Sequence, residues 1–409
     1  MSQPSANTLD TLNGMFKERY AKQIENLIPD GVKLMNEIPF SGKEKMLGNL
    51  YHQPVILGLE HGVTFASSDD DAFNLNAPVA GQLKDAQVRG NPVVLRSVLG
   101  YTSASRAAQG GEQAFENATK YLVANMIRSL AKKLEIEMLY GQVGYGVVGS
   151  TAGATITLVT AEFAAGIWAG AEQMPIEIRN AAGTVSRGLA TVVQVNIDGY
   201  TITLDQLPAG TIATDVIWHK GAYGNEFAGV QAIMQNTGTL FNISAASYNL
   251  WQGNIYSAGS AQLSFTKVQH AIAVAVGKGL DTDVHCFVNP KTWADLMGDE
   301  AALRRYDSSY SDGTTETGSK AIEYYGQNGK ITIEPSIYVK EGYAYVLAMD
   351  EWSRIGSTDV TFKRPGKGDE FFRDLENSAG YELRAYSDQA LFCAKPAVNV
   401  MITQIVNGT

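Results

Sequence analysis

The sequence predicts an α+β fold, and three observations carry that prediction. A segment of helical periodicity, residues 112 to 140, runs unbroken between glycines; residues 150 to 220 are rich in Thr, Val, Ile and Gly; the last third is a succession of short strand-like runs with few helices. A length of 409 residues is long for one hydrophobic core and allows two or three domains. With 45% hydrophobic and 18% charged residues, the composition is that of a chain that folds.

Taken in order, the first element is an amphipathic arm. Leu12, Phe16, Tyr20, Ile24 and Leu27 form a helical stripe on an otherwise charged segment, which Pro29 and Gly31 end, and the stripe needs a surface to dock on. Residues 50 to 100 read as a long two-stranded excursion: "QPVILGLEHGVTFA" leads out and "AQVRGNPVVLRSVLGYTSA" returns, with a tip at about residues 67 to 85. That tip sets Asp69, Asp70 and Asp71 beside Phe73 and Leu75. Two-stranded ribbons are marginal in water, and Phe73 and Leu75 have too few sequence neighbours to bury them, so the tip requires a partner surface. Consecutive carboxylates point in diverging directions and rarely converge on one cation; a solvated loop tip is the better reading.

Next comes the long helix, with Phe115, Ala118, Leu122, Met126, Leu130, Leu134 and Met138 at spacings of three and four. It makes a rod of about 40 Å, and its single stripe without flanking charge pairs fits a helix lying across a sheet better than a coiled coil. Gly110 and Gly111 precede it and Gly141 follows. In the β-rich region, "TVVQVNIDGYTITLDQL" alternates on both sides of Asp198-Gly199, a hairpin signal, and "PIEIRN", "TVSRG" and "DVIWHKG" supply further strands, so a small all-β module stands here as an insertion. Leu263 to Lys278 is helical, "VHCFVN" is a buried strand, and Pro290 opens another helix. The strands "KITIEPSIYV", "YAYVLAMD", "DVTFKR", "YELRAYSDQALFCAK" and "VNVMITQI" complete a mixed or antiparallel sheet.

Chemistry is sparse along this chain. A net charge of −10 and a pI of about 5.1 repel polyanions and leave no footprint for tight nucleic-acid binding. Cys286 and Cys393 sit in apolar runs, as buried thiols of a reducing compartment do, and a cytosolic origin is expected. Neither a signal peptide nor a run of about 18 apolar residues is present, so secretion and membrane insertion are not expected. "GYGVVG", Gly144 to Gly149, has the dinucleotide spacing in reversed context, after a helix and before a strand. His285 and Cys286 are adjacent and, in a strand, face opposite sides. His52, His61, His219 and His270 show no metal-ligand pairing. "FKRPGKGDEFFRD", residues 362 to 374, reads as an exposed turn that makes salt bridges to a neighbour. With no phosphate-loop, nucleophile-elbow or paired-acid pattern either, no enzyme, cofactor or metal site is expected, and the surfaces that want partners suggest a structural protein.

The order of parts resembles the major capsid protein family of tailed bacteriophages, the HK97-like capsid fold. The segments that carry the resemblance are "QPVILGLEHGVTFASSDDDAFNLNAPVAGQLKDAQVRGNPVVLRSVLGYTSASRAA" running into the helix after Gly111, "KITIEPSIYVKEGYAYVLAMDEW", and "YSDQALFCAKPAVNVMITQI". It implies an N-terminal arm over 1–49, an E-loop over 50–100, a spine helix and the start of the peripheral domain over 101–149, and the inserted β-rich module over 150–225. An axial-type α+β domain follows over 226–350, and 351–409 carries peripheral-domain strands and the return to the axial domain.

Further expectations come with the resemblance. The chain would be a homo-oligomer of pentamers and hexamers in an icosahedral virion shell, assembled in the host bacterial cytoplasm and enclosing double-stranded DNA without sequence-specific binding. Asp69, Asp70, Asp71, Phe73 and Leu75 would contact an adjacent subunit, Phe16, Tyr20 and Ile24 would make the arm's contacts, and Gly110, Gly111 and Gly141 would be hinges of the spine helix. About fifty residues before the E-loop are too few for a fused scaffolding segment, so a separate scaffolding protein is expected, with a portal as a further partner and a decoration protein as an optional one. Lys84 and Asn399 are of the residue types cross-linked in one branch, but no cross-link is predicted. An encapsulin-like compartment shell and a phage tail or adhesin component stand as alternatives; packaged DNA, enclosed protein cargo, or fibres and trimers would tell the three apart.

Overall fold

The long helix, Glu112–Tyr140, organises the molecule. The computed structural model describes residues 31–41, 46–47, 50–69, 72–100, 112–298, 322–363, 372–375 and 380–408, with the backbone alone at 46–47, 112–121 and 372. Along the helix Met126, Leu130 and Leu134 are buried against Leu383 and Ala385, with Val93, Leu95 and Val360 beside them. The stripe thus lies on a sheet, as its spacing requires. In that outer sheet Asn91–Gly100 runs antiparallel to Gly380–Cys393, which pairs on its other edge with Trp352–Thr361. Val93 and Leu95 alternate with exposed Val94, Arg96 and Val98, the period of two of a half-buried strand.

Past Leu134 the helix enters the main core, where Ile136, Met138, Leu139 and Tyr140 are all buried. Its end is fixed by a close approach of two backbones. A Cβ on Gly141 would lie 2.2 Å from the Phe227 carbonyl oxygen, and one on Gly229 would lie 2.6 Å from that of Glu137, so both places need glycine. Across the contact the Gly229 N–H donates to the Gly141 carbonyl at 3.0 Å.

The chain then closes into a barrel ordered Thr201–Leu204, Thr155–Leu158, Gly146–Ala152, Val216–His219, Pro175–Arg179 and Ser186–Asn196. Val148, Ile156, Ile176, Ile178, Val192, Ile202 and Ile217 fill it, the inward half of strands that alternate apolar and polar residues. Asn196 and Thr201 face each other across the Asp198-Gly199 turn, whose Gly199 N–H donates to Asn196 Oδ1 at 3.0 Å. "GYGVVG" opens the strand Gly146–Ala152, which leads to another strand and not to the helix that a phosphate-binding loop needs.

A mixed sheet forms the second layer, in the order Asn254–Ala261, Val400–Ile405, Ala344–Leu347, Val284–Val288, Lys330–Pro335, Ile322–Tyr325. The helix Phe265–Val276, capped by Ser264, packs Val268, Ala271, Ile272 and Ala275 into its core, and the helix Pro290–Met297, capped by Asn289, adds Leu296. Cys286 lies in this core while His285 faces the other side.

Buried polar groups tie the layers together. Lys340, 1% exposed, meets Glu162 at 2.8 Å and donates to the Gly144 carbonyl at 3.2 Å. Nearby the Tyr140 hydroxyl donates to the Tyr338 carbonyl at 2.9 Å and accepts the Lys340 N–H at 2.8 Å. Helix end, barrel and central sheet therefore share one network. Residues 33–41 are held in the same manner. Glu135 accepts the N–H groups of Lys33, Leu34 and Met35 at 2.9–3.1 Å, and Arg354 donates to the Ile38 carbonyl at 2.9 Å.

Candidate inter-subunit surface

Leu50–Gly58 and Gln82–Val88 pair antiparallel, with Tyr51 opposite Val88 and Gly58 opposite Gln82. The base of this hairpin is anchored: Tyr51, Ala86 and Val88 are buried, and the Tyr51 ring lies 5.5 Å from that of Phe392. Beyond Gly58 the chain continues outward without regular strands. The His61 N–H donates to the Val79 carbonyl at 3.0 Å, the Asn76 N–H to Thr64 Oγ1 at 2.8 Å, and Asn76 Nδ2 to the Val63 carbonyl at 2.9 Å. These bonds hold the two legs of the extension together.

What the extension presents is apolar. Ile56, Leu59, Val63, Phe65, Phe73, Leu75, Val79 and Leu83 are all exposed, Phe65 by 91% and Leu75 by 80%. Ile56 faces Leu83 across the strand pair, and large apolar side chains exposed together on one extension make it a candidate interaction surface. Asp69 stands exposed at the end of the row, its N–H toward Ser67 Oγ at 3.5 Å. Of the residues singled out from sequence, Asp69, Phe73 and Leu75 therefore lie on one extension. Asp70, Asp71, Gly110 and Gly111 lie outside the described residues, as do Phe16, Tyr20 and Ile24 of the arm. The residues sequence reasoning passed over are Ile56, Leu59, Val63, Phe65 and Leu83. All but Leu83 lie in "VILGLEHGVTF", read from sequence only as the outgoing leg of the two-stranded excursion, since nothing local says which of its apolar side chains the chain covers.

Elsewhere, titratable groups gather at the end of the long helix. Burial pushes Glu137 up to about 8, with the charge of Glu226 adding to it, and pushes Glu226 up to about 7. The same loss of solvent lowers Lys133 to about 7 and Lys132 to about 8. Lys132 and Lys133 line a cleft of about 410 Å³ with Arg128, Met174 and His219. His219 is lowered to about 4, first by burial and then by Lys133. Both thiols are enclosed, and burial pushes Cys286 up to about 12, so it stays protonated and unreactive. Asn399 is wholly buried, its Oδ1 accepting from the Ala348 N–H and Trp352 Nε1 at 2.9 Å, whereas Lys84 is exposed on the hairpin. "FKRPGKGDEFFRD" lies for the most part outside the described residues. Among the described residues no helix is long and apolar enough to cross a membrane.

Comparison with solved structures places this architecture. The capsid asymmetric unit of Cyanophage A-1(L) matches over 98% of this chain and 99% of its own, with a TM-score of 0.55 at 10% identity. The chain has a capsid fold. The capsid of a native GTA particle superposes with a TM-score of 0.51 at 9% identity, over 98% of this chain and 100% of that one. For the Cyanophage Pam1 capsid asymmetric unit the values are 0.50 and 11%, with full coverage of both chains. No protein-family model matches the sequence, and no curated protein does. This α+β capsid fold is therefore shared across a sequence distance at which little but the architecture is common.

Proposed function

We propose that this chain is the shell-forming major capsid protein of a tailed bacteriophage. Many copies close into an icosahedral shell of pentamers and hexamers around double-stranded DNA. One observation carries the reading: a chain with a capsid fold extends a hairpin whose apolar side chains, Phe65 and Leu75 foremost, find no cover among the described residues. Burying each such side chain is worth about 1.5–3 kcal/mol, and a neighbouring copy is the surface that a homo-oligomer offers.

In this reading the hairpin of Leu50–Gly58 and Gln82–Val88 with its extension is the E-loop, shorter than the 50–100 expected from sequence because Asn91–Gly100 joins the outer sheet, and the long helix is the spine. The barrel is the inserted module, the mixed sheet belongs to the axial domain, and the outer sheet belongs to the peripheral domain. Asp69, Asp70 and Asp71 meet basic groups of the adjacent subunit while Phe73 and Leu75 are covered by it. Such contacts are heterologous and close into rings. A net charge of −10 suits a container that holds DNA without gripping it. Scaffolding and portal proteins are the partners that closure and filling of the shell require, and no chemical step is assigned to the chain.

Electron microscopy of the chain expressed alone and with its scaffolding partner tests this. Closed shells with fivefold and sixfold capsomers are the expected result; compact monomers or trimers under both conditions would refute it.

A further inference from the structure

Three segments remote in sequence bring metal-ligating side chains together where residues 33–37 meet the central sheet. Glu37 ends the short helix Leu34–Glu37; His285 lies on Val284–Val288; Glu334 lies on the adjacent parallel strand Lys330–Pro335. In the register Phe287 is opposite Glu334 and His285 opposite Thr332, so His285 and Glu334 are diagonal neighbours on one face. Their donor atoms and that of Glu37 all fall within 4.8 Å of one another.

Two details mark this as more than a chance meeting of charges. Glu37 Oε2 and His285 Nδ1 are both inaccessible to solvent and lie 3.3 Å apart, an ion pair without a well-aligned hydrogen bond between them, on side chains that are otherwise 28% and 32% exposed. That separation is the edge of a tetrahedron with bonds of about 2.0–2.1 Å to a common centre. Glu334 Oε1 is 3.9 Å from His285 Nδ1, while its other oxygen is held by Lys33 at 2.8 Å, an outer contact that orients the carboxylate and leaves Oε1 to face the group.

We propose that Glu37, His285 and Glu334 bind a divalent cation of the zinc class, which fastens residues 33–37 to the central sheet. One imidazole and two carboxylates suit zinc, with water completing the four positions; magnesium and calcium prefer oxygen alone. The alternative is a histidine paired with two carboxylates and no affinity for metal.

Equilibrium dialysis of the chelator-treated full chain against micromolar zinc chloride separates the two. The site predicts one zinc per chain, a higher melting temperature with zinc than in chelator, and affinity at least tenfold weaker in His285→Ala and in Glu37→Gln. His52→Ala keeps full affinity. Melting in chelator at the wild-type temperature confirms that a variant is folded, and Glu334→Gln replaces any variant that is not. Substoichiometric zinc on the folded wild-type chain, or affinity unchanged in the ligand variants, would overturn the proposal.

Discussion

Lys340 and Glu162 illustrate how single side chains hold the layers of this molecule. Burial raises the Glu162 carboxyl, but the Lys340 charge and hydrogen bonds from Lys340 and Tyr343 outweigh it and hold Glu162 below the usual carboxylate range. Removing one member of a buried pair strands the other, at a cost of about 3 kcal/mol. Lys340→Met should therefore lower the stability of the unassembled chain by about that much, read from the urea midpoint. Glu137 and Glu226 behave oppositely. Both are raised above their ordinary value of 4.5, so the folded chain keeps protons that the unfolded chain has released. Their contribution is whole below that value and is lost as pH rises through about 7 and 8. Lys133, lowered to about 7, and His219, lowered to about 4, titrate near or across the same range, so the two acids are isolated by the difference between the wild type and a chain lacking both carboxylates, followed from pH 5 to 7. Between these limits the wild type should lose on the order of 2 kcal/mol that a Glu137→Gln, Glu226→Gln chain retains; parallel pH profiles for the two would contradict the assignment.

The hairpin and the long helix divide what local sequence pattern conveys from what it does not. Met126, Leu130 and Leu134 announce a helix lying on a sheet because a spacing of three and four is a local signal, and they pack there against Leu383 and Ala385. Asp198-Gly199 announces its turn for the same reason. Glu135 shows no such mark, because its role is to accept N–H groups about a hundred residues away in sequence. Glu37, His285 and Glu334 are likewise joined only by the fold. Phe65 was hidden differently: an apolar run looks the same whether its cover comes from the chain itself or from another copy. If the cover is another copy, Phe65→Ser with Leu75→Ser should leave the melting temperature of the unassembled chain within a degree or two of wild type, since both side chains are already in water. It should nevertheless abolish shell formation on sedimentation. A folded variant that still assembles would show that the row is not an interface.

The described residues combine a barrel without free edges, a mixed sheet packed with helices, and an extension whose apolar side chains they leave uncovered. The α+β class was legible from alternation and helical spacing, and the capsid architecture from the order of segments. The geometry proposed between copies was not, because a contact between two molecules leaves no pattern in the sequence of one. The claim on which the rest depends is that a neighbour covers the hairpin. A cryo-electron microscopy map of the assembled particle, at a resolution that shows side chains, measures this directly. The account predicts Phe65, Phe73 and Leu75 packed against an adjacent subunit with the aspartates beside basic groups. A map with these side chains in solvent, or folded back on their own subunit, would contradict it.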